Sequence, residues 1–239
     1  MPKTPKHLKT KIAALDQVLG GGFVPGNVYL IGGPRGVGKT SLLLQACRGI
    51  ESLYATGEMH QKSLVEFARR VGCADVGLFG DPDGLDILEV IEEARKTKLL
   101  VVDSIQYALL TDIRKADIGS PAMIRAATRV LVKFAHENEV AVVVVTHMTK
   151  KGEHALYADV EDMFDTHLRL DSATVWENGE AVKGTEGLRK ISVEWSKGKP
   201  VKQSKGKPVK KLLTFSEARS SFGFRTPSAD LVKKYEKLL

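Results

Sequence analysis

Gly33-Pro-Arg-Gly-Val-Gly-Lys-Thr40 follows a short apolar run at residues 28–31 and opens a helical pattern at residues 40–48. In this strand–turn–helix context the spacing Gly-x4-Gly-Lys-Thr predicts a phosphate-binding loop (P-loop). The glycines let backbone amides approach phosphate oxygens, and the helix N-terminus adds its positive end. We expect Lys39 to hold the β- and γ-phosphates of ATP and Thr40 to coordinate Mg²⁺. The predicted ATP-binding residues of this loop are Gly33, Pro34, Arg35, Gly36, Val37, Gly38, Lys39, Thr40 and Ser41.

Apolar runs and helical patterns alternate on either side of the loop. Strands are predicted at residues 28–31, 52–56, 99–102 and 140–145, and helices at residues 40–48, 62–71, 86–96 and 122–138. Strands without internal alternation are typical of strands buried on both faces, and helices between them imply parallel crossovers. The predicted class is α/β, with a mostly parallel twisted sheet flanked by helices. Residues 164–170, 189–195 and 211–215 predict antiparallel strands added at the C-terminal edge.

Polar residues follow the other predicted strands at the edge where such sheets bind ligands. Asp103 ends the run Leu-Leu-Val-Val and is expected to orient Mg²⁺. Glu58 follows the strand at residues 52–56 and is positioned to polarise the attacking water. Thr146 and His147 follow the strand at residues 140–145 and are candidate sensors of the γ-phosphate. Structural roles stay open: Asp103 as a helix cap, Glu58 as a first-turn acid and His147 as a structural histidine.

The positive charge of the chain is confined to two short segments. Residues 1–11 contain four lysines and residues 197–211 contain seven, and neither segment has an acid. Removing these eleven lysines from the 36 basic residues leaves 25 against 29 acidic ones. Local basicity of this kind fits contact with a polyanion, although two solvated lysine-rich loops would have the same composition.

The second basic segment contains an internal duplication. Residues 196–203 read Ser-Lys-Gly-Lys-Pro-Val-Lys-Gln, and residues 204–211 repeat seven of these eight positions. Gly, Pro and Lys at this density cannot pack a core, so we expect an exposed hairpin or a mobile arm. The predicted organisation is a basic tail at residues 1–10 and one ATPase domain at residues 11–239 that includes the arm at residues 196–211.

Composition limits the setting of the protein. The two cysteines, Cys47 and Cys73, have no spacing typical of a zinc site or a disulfide framework. The N-terminal residues lack the apolar stretch of a signal peptide, and no apolar run approaches the roughly 20 residues that cross a bilayer. We therefore expect a cytoplasmic protein without a membrane partner.

Five motifs, in order, resemble those of the bacterial RadA/Sms branch of the RecA superfamily. They are residues 15–22 (Leu-Asp-Gln-Val-Leu-Gly-Gly-Gly), the P-loop, residues 56–58 (Thr-Gly-Glu), residues 102–106 (Val-Asp-Ser-Ile-Gln) and residues 146–152 (Thr-His-Met-Thr-Lys-Lys-Gly). The resemblance covers roughly residues 8–170 and implies a RecA-like P-loop NTPase. It also implies that Lys39, Thr40, Asp103 and Glu58 run ATP hydrolysis.

The resemblance further implies two loops that line a central DNA channel. One follows Gln106 and the other spans about residues 149–162, so the expected DNA-binding residues are Arg114, Lys115, Lys150 and Lys151. Few aromatics occur in either loop, which favours gripping of the phosphate backbone over base stacking. The implied partners are single-stranded DNA and further copies of the chain, in a ring or filament with a hexamer favoured.

The chain departs from the family pattern in three respects. It lacks the family's zinc module and its Lon-protease-like domain, and the motif Lys-Asn-Arg-Phe-Gly is replaced by Ser-Lys-Gly-Lys at residues 196–199. The pair Lys197 and Lys199 resembles the lysines that RecA-type proteins extend to a neighbour's ATP. The duplication repeats that spacing at Lys205 and Lys207, so the sequence leaves open which copy serves, and whether either does.

The leading hypothesis is an ATP-driven motor or recombination and repair ATPase on single-stranded DNA, with hydrolysis at subunit interfaces. The alternative is a KaiC-like signalling or assembly ATPase that binds protein and no DNA; the lysine-rich arm argues against it. A small-molecule kinase would need a lid and an acceptor pocket, and a lysine hairpin without arginine is a poor lid.

Overall fold

The computed structural model describes residues 6–111, 117–148, 156–178, 180–182, 185–197, 210–216, 223–225 and 228–235. The helices are α1 (Ala13–Val18), α2 (Lys39–Cys47), α3 (Gln61–Arg70), α4 (Ile87–Ala94), α5 (Pro121–Asn138), α6 (Ala158–Glu161) and α7 (Ala229–Lys234), with a 3-10 turn at Ile105–Tyr107. The longer strands are β1 (Val28–Gly32), β2 (Ser52–Thr56), β3 (Gly77–Gly80), β5 (Leu99–Asp103), β7 (Ala141–Val145), β8 (Thr166–Ser172), β11 (Leu188–Ser196), β12 (Lys210–Ser216) and β13 (Gly223–Arg225). Two-residue strands are β4 (Leu85–Asp86), β6 (Ala108–Leu109), β9 (Trp176–Glu177) and β10 (Glu180–Ala181).

Within the described residues, the nine longer strands form one sheet in the order β13-β12-β11-β8-β1-β7-β5-β2-β3. The six strands from β8 to β3 are parallel, and β11, β12 and β13 continue the sheet in antiparallel pairs. This confirms the predicted mostly parallel sheet with antiparallel strands at its C-terminal edge. β8 joins the two parts, since it runs parallel to β1 and antiparallel to β11.

The central strands are buried because helices cover both faces of the sheet. Every residue of β1, β2, β5 and β7 is buried. Alternate residues enter different apolar layers: Tyr29 and Ile31 pack with α2 and α3, whereas Val28 and Leu30 pack with α4 and α5. The continuous apolar runs in the sequence therefore reflect two cores, one on each side of the sheet.

The sequence patterns located the longer elements to within a few residues and missed the short ones, among them α1 and β3. Helix α1 is only six residues long, and β3 is a four-residue edge strand of Gly, Leu and Phe. Segments this short carry too little periodicity to be recognised. None of the described helices has the length and hydropathy of a bilayer-spanning segment.

Candidate active site

Four parallel strands deliver the predicted site residues to one edge of the sheet. β1 leads into the P-loop, β5 ends at Asp103, β2 leads to Glu58 and β7 leads to Thr146 and His147. β5 pairs with both β2 and β7, and β7 pairs with β1. The carboxyl ends of all four strands therefore meet at the same place, as the parallel pattern predicted.

The P-loop leaves the sheet and enters α2 at Gly38. Gly38 has a φ of 102°, and a Cβ atom there would lie 2.9 Å from the Phe224 ring of β13. At Gly33 a Cβ atom would lie 2.2 Å from the carbonyl oxygen of Leu170, so the backbone of β8 packs directly against the start of the loop. These two glycines are required by the close approach of the C-terminal strands, in addition to any approach of phosphate.

Lys39 lies across the P-loop. Its Nζ donates hydrogen bonds to the carbonyl oxygens of Gly33, at 2.8 Å, and Pro34, at 3.1 Å. Burial lowers the pKa of Lys39, and the carboxylates of Asp103 and Glu58 oppose that shift. The ammonium group is thus held over the loop, beside the two acids of the site.

Asp103 accepts two hydrogen bonds on a single carboxylate oxygen. Thr40 donates to Oδ2 at 2.9 Å, and the phenol of Tyr54 donates to the same oxygen. Tyr54 is fully buried on β2, and burial together with the charge of Asp103 raises its pKa well above the usual value. The phenol therefore stays a donor, and it fixes the carboxylate beside the Thr40 hydroxyl.

A hydroxyl beside a carboxylate is the donor set that suits Mg²⁺, a cation that prefers oxygen ligands and usually takes only one or two carboxylates from the protein. No group of three or more His, Cys, Asp or Glu side chains suited to a metal occurs in the described part of the chain. The Thr40–Asp103 pair therefore fits a magnesium ion that is shared with nucleotide phosphates.

Glu58 and His147 form a pair at the adjacent strand ends. The distance between His147 Nε2 and Glu58 Oε1 is 3.3 Å, and His147 Nε2 also lies 3.3 Å from Ser104 Oγ. Burial raises the pKa of Glu58; Asp103 adds to this shift and His147 opposes it. The backbone amide of Glu58 donates to Thr56 Oγ1 at 3.1 Å. His147, another residue of the predicted site, therefore holds the Glu58 side chain in place.

Thr146 is arranged differently from His147. Its hydroxyl accepts from Gln106 Nε2 at 2.9 Å and donates to the carbonyl oxygen of His147 at 3.2 Å. Thr146 is fully buried, and its hydroxyl connects β7 to the segment that follows β5. The remaining P-loop residues divide between exposed positions (Pro34, Arg35 and Gly36) and the buried Val37 and Ser41.

Several candidate residues do not lie at this edge or cannot be placed. Lys197 follows β11, and its backbone amide donates to the Asp165 carbonyl oxygen at 2.7 Å, just before β8 begins. It therefore lies at the opposite end of the sheet from Lys39. Lys199, both lysines of the second copy (Lys205 and Lys207), and Arg114, Lys115, Lys150 and Lys151 lie outside the described residues.

Sequence reasoning missed three contacts of the site. Tyr54 reaches Asp103, Arg189 Nε on β11 donates to the P-loop carbonyl of Val37 at 3.1 Å, and Phe224 packs against Gly38. Arg189 thus stabilises the loop from a strand that lies more than a hundred residues along the chain. The residues in each contact are 49 to 186 positions apart in the sequence, so no local pattern predicts these contacts. The local signal for the first of these contacts was the hydroxyl group of Tyr54 inside the buried strand β2.

The Tyr54 contact leads to a stability prediction. We expect Tyr54→Phe to lower the free energy of unfolding by about 1.5–3 kcal/mol, the range for a hydrogen bond to a charged group, because ring packing is kept and only the donor is removed. Urea denaturation followed by circular dichroism measures this. Tyr107→Phe is the matched control, since the Tyr107 hydroxyl forms no hydrogen bond with the described part of the chain. Equal stability of the two variants would contradict the prediction.

Comparison with known proteins gives consistent results. No family model matches the sequence. The chain is 38% identical over 171 residues to the DNA repair protein RadA of Salmonella typhimurium, covering 69% of this chain and 37% of that protein. It is 36% identical over 170 residues to RadA of Escherichia coli K12, with the same coverage, and 36% identical over 171 residues to RadA of Mycobacterium tuberculosis H37Rv, covering 68% and 35%. The chain thus spans little more than a third of the length of these curated relatives.

Two solved structures share the fold. The RadB recombinase superposes with a TM-score of 0.63 at 24% identity, covering 92% of this chain and all of that one. A KaiC-like protein from the archaeon Pyrococcus horikoshii OT3 gives a TM-score of 0.66 at 18% identity, covering 94% of this chain and all of that one. At such identities the likeness concerns the fold. Together with the ordered motifs and the identity to the RadA proteins, it shows that this chain contains a RadA/Sms-type core of the RecA superfamily.

Proposed function

We propose that the chain is a recombination or repair ATPase that works as an oligomer on single-stranded DNA and hydrolyses ATP at subunit interfaces. The observation that carries the proposal is the meeting of Lys39, the Thr40–Asp103 pair and Glu58 at one sheet edge. Each supplies a different requirement of phosphoryl transfer: a cation for phosphate, oxygen ligands for Mg²⁺ and a base for water.

ATP binding is the task of the P-loop. The amides that precede α2 and the Lys39 ammonium bind the phosphates, and Lys39 exchanges its two carbonyl partners for phosphate oxygens. Mg²⁺ held by Thr40 and Asp103 neutralises charge on the phosphates when it is bound. Tyr54 keeps the Asp103 carboxylate oriented toward Thr40 throughout.

Water activation is the task of Glu58. In its ionised form the carboxylate accepts a proton from the attacking water, and His147 holds it from the side at 3.3 Å. His147 is also close to Ser104, the residue after Asp103, so it contacts two strand ends at once. We assign to Thr146 and His147 the sensing of the γ-phosphate: His147 directly, Thr146 through its link to Gln106.

The position of Lys197 supports the proposed oligomer. The lysine is at the opposite end of the sheet from its own P-loop, and a strand-length separates the two, so it cannot act on its own nucleotide. A neighbouring copy with its nucleotide-binding edge turned toward Lys197 brings the two groups together. Lys197 and Lys199 then serve as the trans-acting cations, and the assembly is a ring or filament, with a hexamer favoured.

We assign the DNA contacts to the two channel loops, one after Gln106 and the other at about residues 149–162. In the sequence, Arg114 and Lys115 come after β5 and the short β6, and Lys150 and Lys151 come after β7; β5 ends at Asp103 and β7 leads to His147. ATP binding and DNA gripping are thereby coupled through shared strand ends. The KaiC-like alternative rests on fold likeness alone and predicts ATP turnover without response to DNA.

The proposal is tested by ATP turnover and a gel shift with a single-stranded oligonucleotide, with and without a non-hydrolysable ATP analogue. We expect Mg²⁺-dependent turnover that rises with DNA, and a DNA complex that is stabilised by the analogue. Turnover that DNA leaves unchanged, together with no gel shift, would favour the KaiC-like function.

Trans action is tested by mixing inactive subunits. We expect Lys39→Ala and Lys197→Ala/Lys199→Ala each to be nearly inactive, whereas their mixture recovers part of the activity. Mixed interfaces pair an intact P-loop with an intact donor. A lysine lacks the bidentate fork of arginine, so its loss is expected to cost less than the roughly 10³–10⁵ in rate associated with an arginine finger. Lys205→Ala/Lys207→Ala is the matched control, because it removes the same local pattern from the second copy. Normal turnover by the Lys197→Ala/Lys199→Ala variant alone would refute the trans role.

A further inference from the structure

A basic groove lies at the end of the sheet that is opposite to the P-loop. It has a volume of about 580 Å³ and is lined by Arg129, Val132, Lys133, His136, Glu137, Met163 and Lys197. Its floor belongs to the C-terminal half of α5, which ends just before β7 begins, and its far wall is where β11 ends. The groove is therefore separated by the length of the sheet from the residues that bind ATP.

The charges of the groove are positive and regularly spaced. The cations Arg129 and Lys133 follow the i, i+4 spacing of one helix face, and both are exposed; the exposed His136 lies on the same face. Among the lining residues, Glu137 is the acid, and its carboxylate is 3.9 Å from Lys133 Nζ with both side chains largely exposed. Arg129 forms no ion pair within the described residues. A pair this long and this exposed does little to neutralise the row of cations.

An exposed tryptophan lies next to Lys197, one of the residues that line the groove. The pairing of β11 with β8 shifts register between Val193 and Trp195, so that Trp195 lies opposite His167. Val193 and its partner Leu168 belong to the apolar layer with α2, and His167 therefore faces the other side, toward α5. The bulge turns the Trp195 ring to that side, where it lies 5.0 Å from the His167 ring and under Lys197 Nζ at 5.9 Å. Trp195 is 42% exposed.

We propose that this groove is a second site for single-stranded nucleic acid, separate from the channel loops. Arg129 and Lys133 bind backbone phosphates, and Trp195 stacks on a base. Rows of cations beside an exposed aromatic ring are the arrangement that holds single strands, because phosphates and base faces are both available. Lys197, which lines the groove, is also the first of the seven lysines at residues 197–211 of the sequence, and this concentration of lysine favours a long polyanion over a single nucleotide. The inference rests on the proposed DNA-binding function and adds a place of contact to it.

The indole fluorescence of Trp195 provides the test. The chain has two tryptophans, so Trp176→Phe leaves Trp195 as the sole indole fluorophore. We expect an oligo(dT) strand, added without nucleotide, to quench the Trp195 emission. A duplex with the same number of phosphates should leave it nearly unchanged, because paired bases cannot stack on the ring. Equal quenching by duplex, or by poly-glutamate of matched charge, would overturn the proposal and indicate a site for any polyanion or for an acidic protein segment.

Variants then assign the contacts. Trp195→Ala should weaken oligo(dT) binding roughly fivefold or more, the lower end of the contribution of a base–aromatic stack. Arg129→Ala/Lys133→Ala should lower the slope of log affinity against log salt by about 0.7 per lost contact. Lys62→Ala/Lys96→Ala removes two exposed cations elsewhere and should change neither quantity. The melting temperature should stay as in the wild type, since these side chains are exposed.

Failure of this inference and failure of the proposed function are distinguishable. If the wild-type chain binds no oligonucleotide in fluorescence anisotropy, the DNA-binding function itself is refuted. If the wild type binds while Trp195→Ala and Arg129→Ala/Lys133→Ala bind equally well, the groove is refuted and the channel loops carry the binding.

Discussion

Lys39→Ala is expected to abolish ATP turnover while the protein stays folded. The Lys39 ammonium is the cation that the P-loop directs at the β- and γ-phosphates, and no other lysine of the loop replaces it. In the absence of nucleotide its partners are two carbonyl oxygens, of which that of Pro34 belongs to an exposed residue. Water can take over this role, so we expect the melting temperature to change by only a few degrees.

Turnover is measured by phosphate release, and binding by competition with a fluorescent ATP analogue. Lys62→Ala is the control, because it removes an exposed cation that lies outside the P-loop. We expect that control to retain most of the activity. A Lys39→Ala protein that hydrolyses ATP at the wild-type rate would show that the phosphate site has been assigned wrongly.

Glu58→Gln is expected to bind ATP and DNA but to hydrolyse ATP about 10²–10⁴-fold more slowly, the usual contribution of a general base. The amide keeps the shape of the side chain and its proximity to His147, but it accepts no proton. Single-turnover kinetics separate this chemical step from binding. Glu51→Gln, at an exposed carboxylate paired with Lys98, is the control. Loss of ATP affinity with unchanged turnover would identify Glu58 as a structural residue.

The same residue determines the acidic limb of the pH profile. Glu58 must be ionised to act as a base, and burial raises its pKa above the ordinary 4.5. Protonation therefore removes activity as pH falls through this raised pKa, at a less acidic pH than for an exposed glutamate. The residual activity of Glu58→Gln should lack this limb, which a pH–rate profile of both proteins checks.

Much of the fold was predictable because its signals are local. The strands at residues 99–102 and 141–145 are apolar over their whole length, since α2 and α3 cover one face and α4 and α5 the other. A residue in such a strand is apolar whichever face it occupies, so the strand is recognisable without its partners. Short edge elements such as α1 and β3 lack that redundancy and were missed.

The candidate site was predictable for a related reason. Parallel strands carry the residues after their last position to one common edge, so Asp103, Glu58 and His147 were expected together before any pairing was known. The pairing of Glu58 with His147, and the turning of Thr146 toward Gln106, were not expected. Both depend on side-chain directions at loop positions, where the backbone no longer follows the period of a strand.

The sequence by itself determined the P-loop, the parallel α/β core and the acids at its edge, because each depends on a motif or a period of a few residues. Only the tertiary structure decided that Tyr54 holds Asp103, that Arg189 contacts the P-loop and that Trp195 lies opposite His167 and next to Lys197. The physical reason is register. Successive side chains of a strand point to opposite faces, so a single bulge between Val193 and Trp195 moves the ring from one side of the sheet to the other.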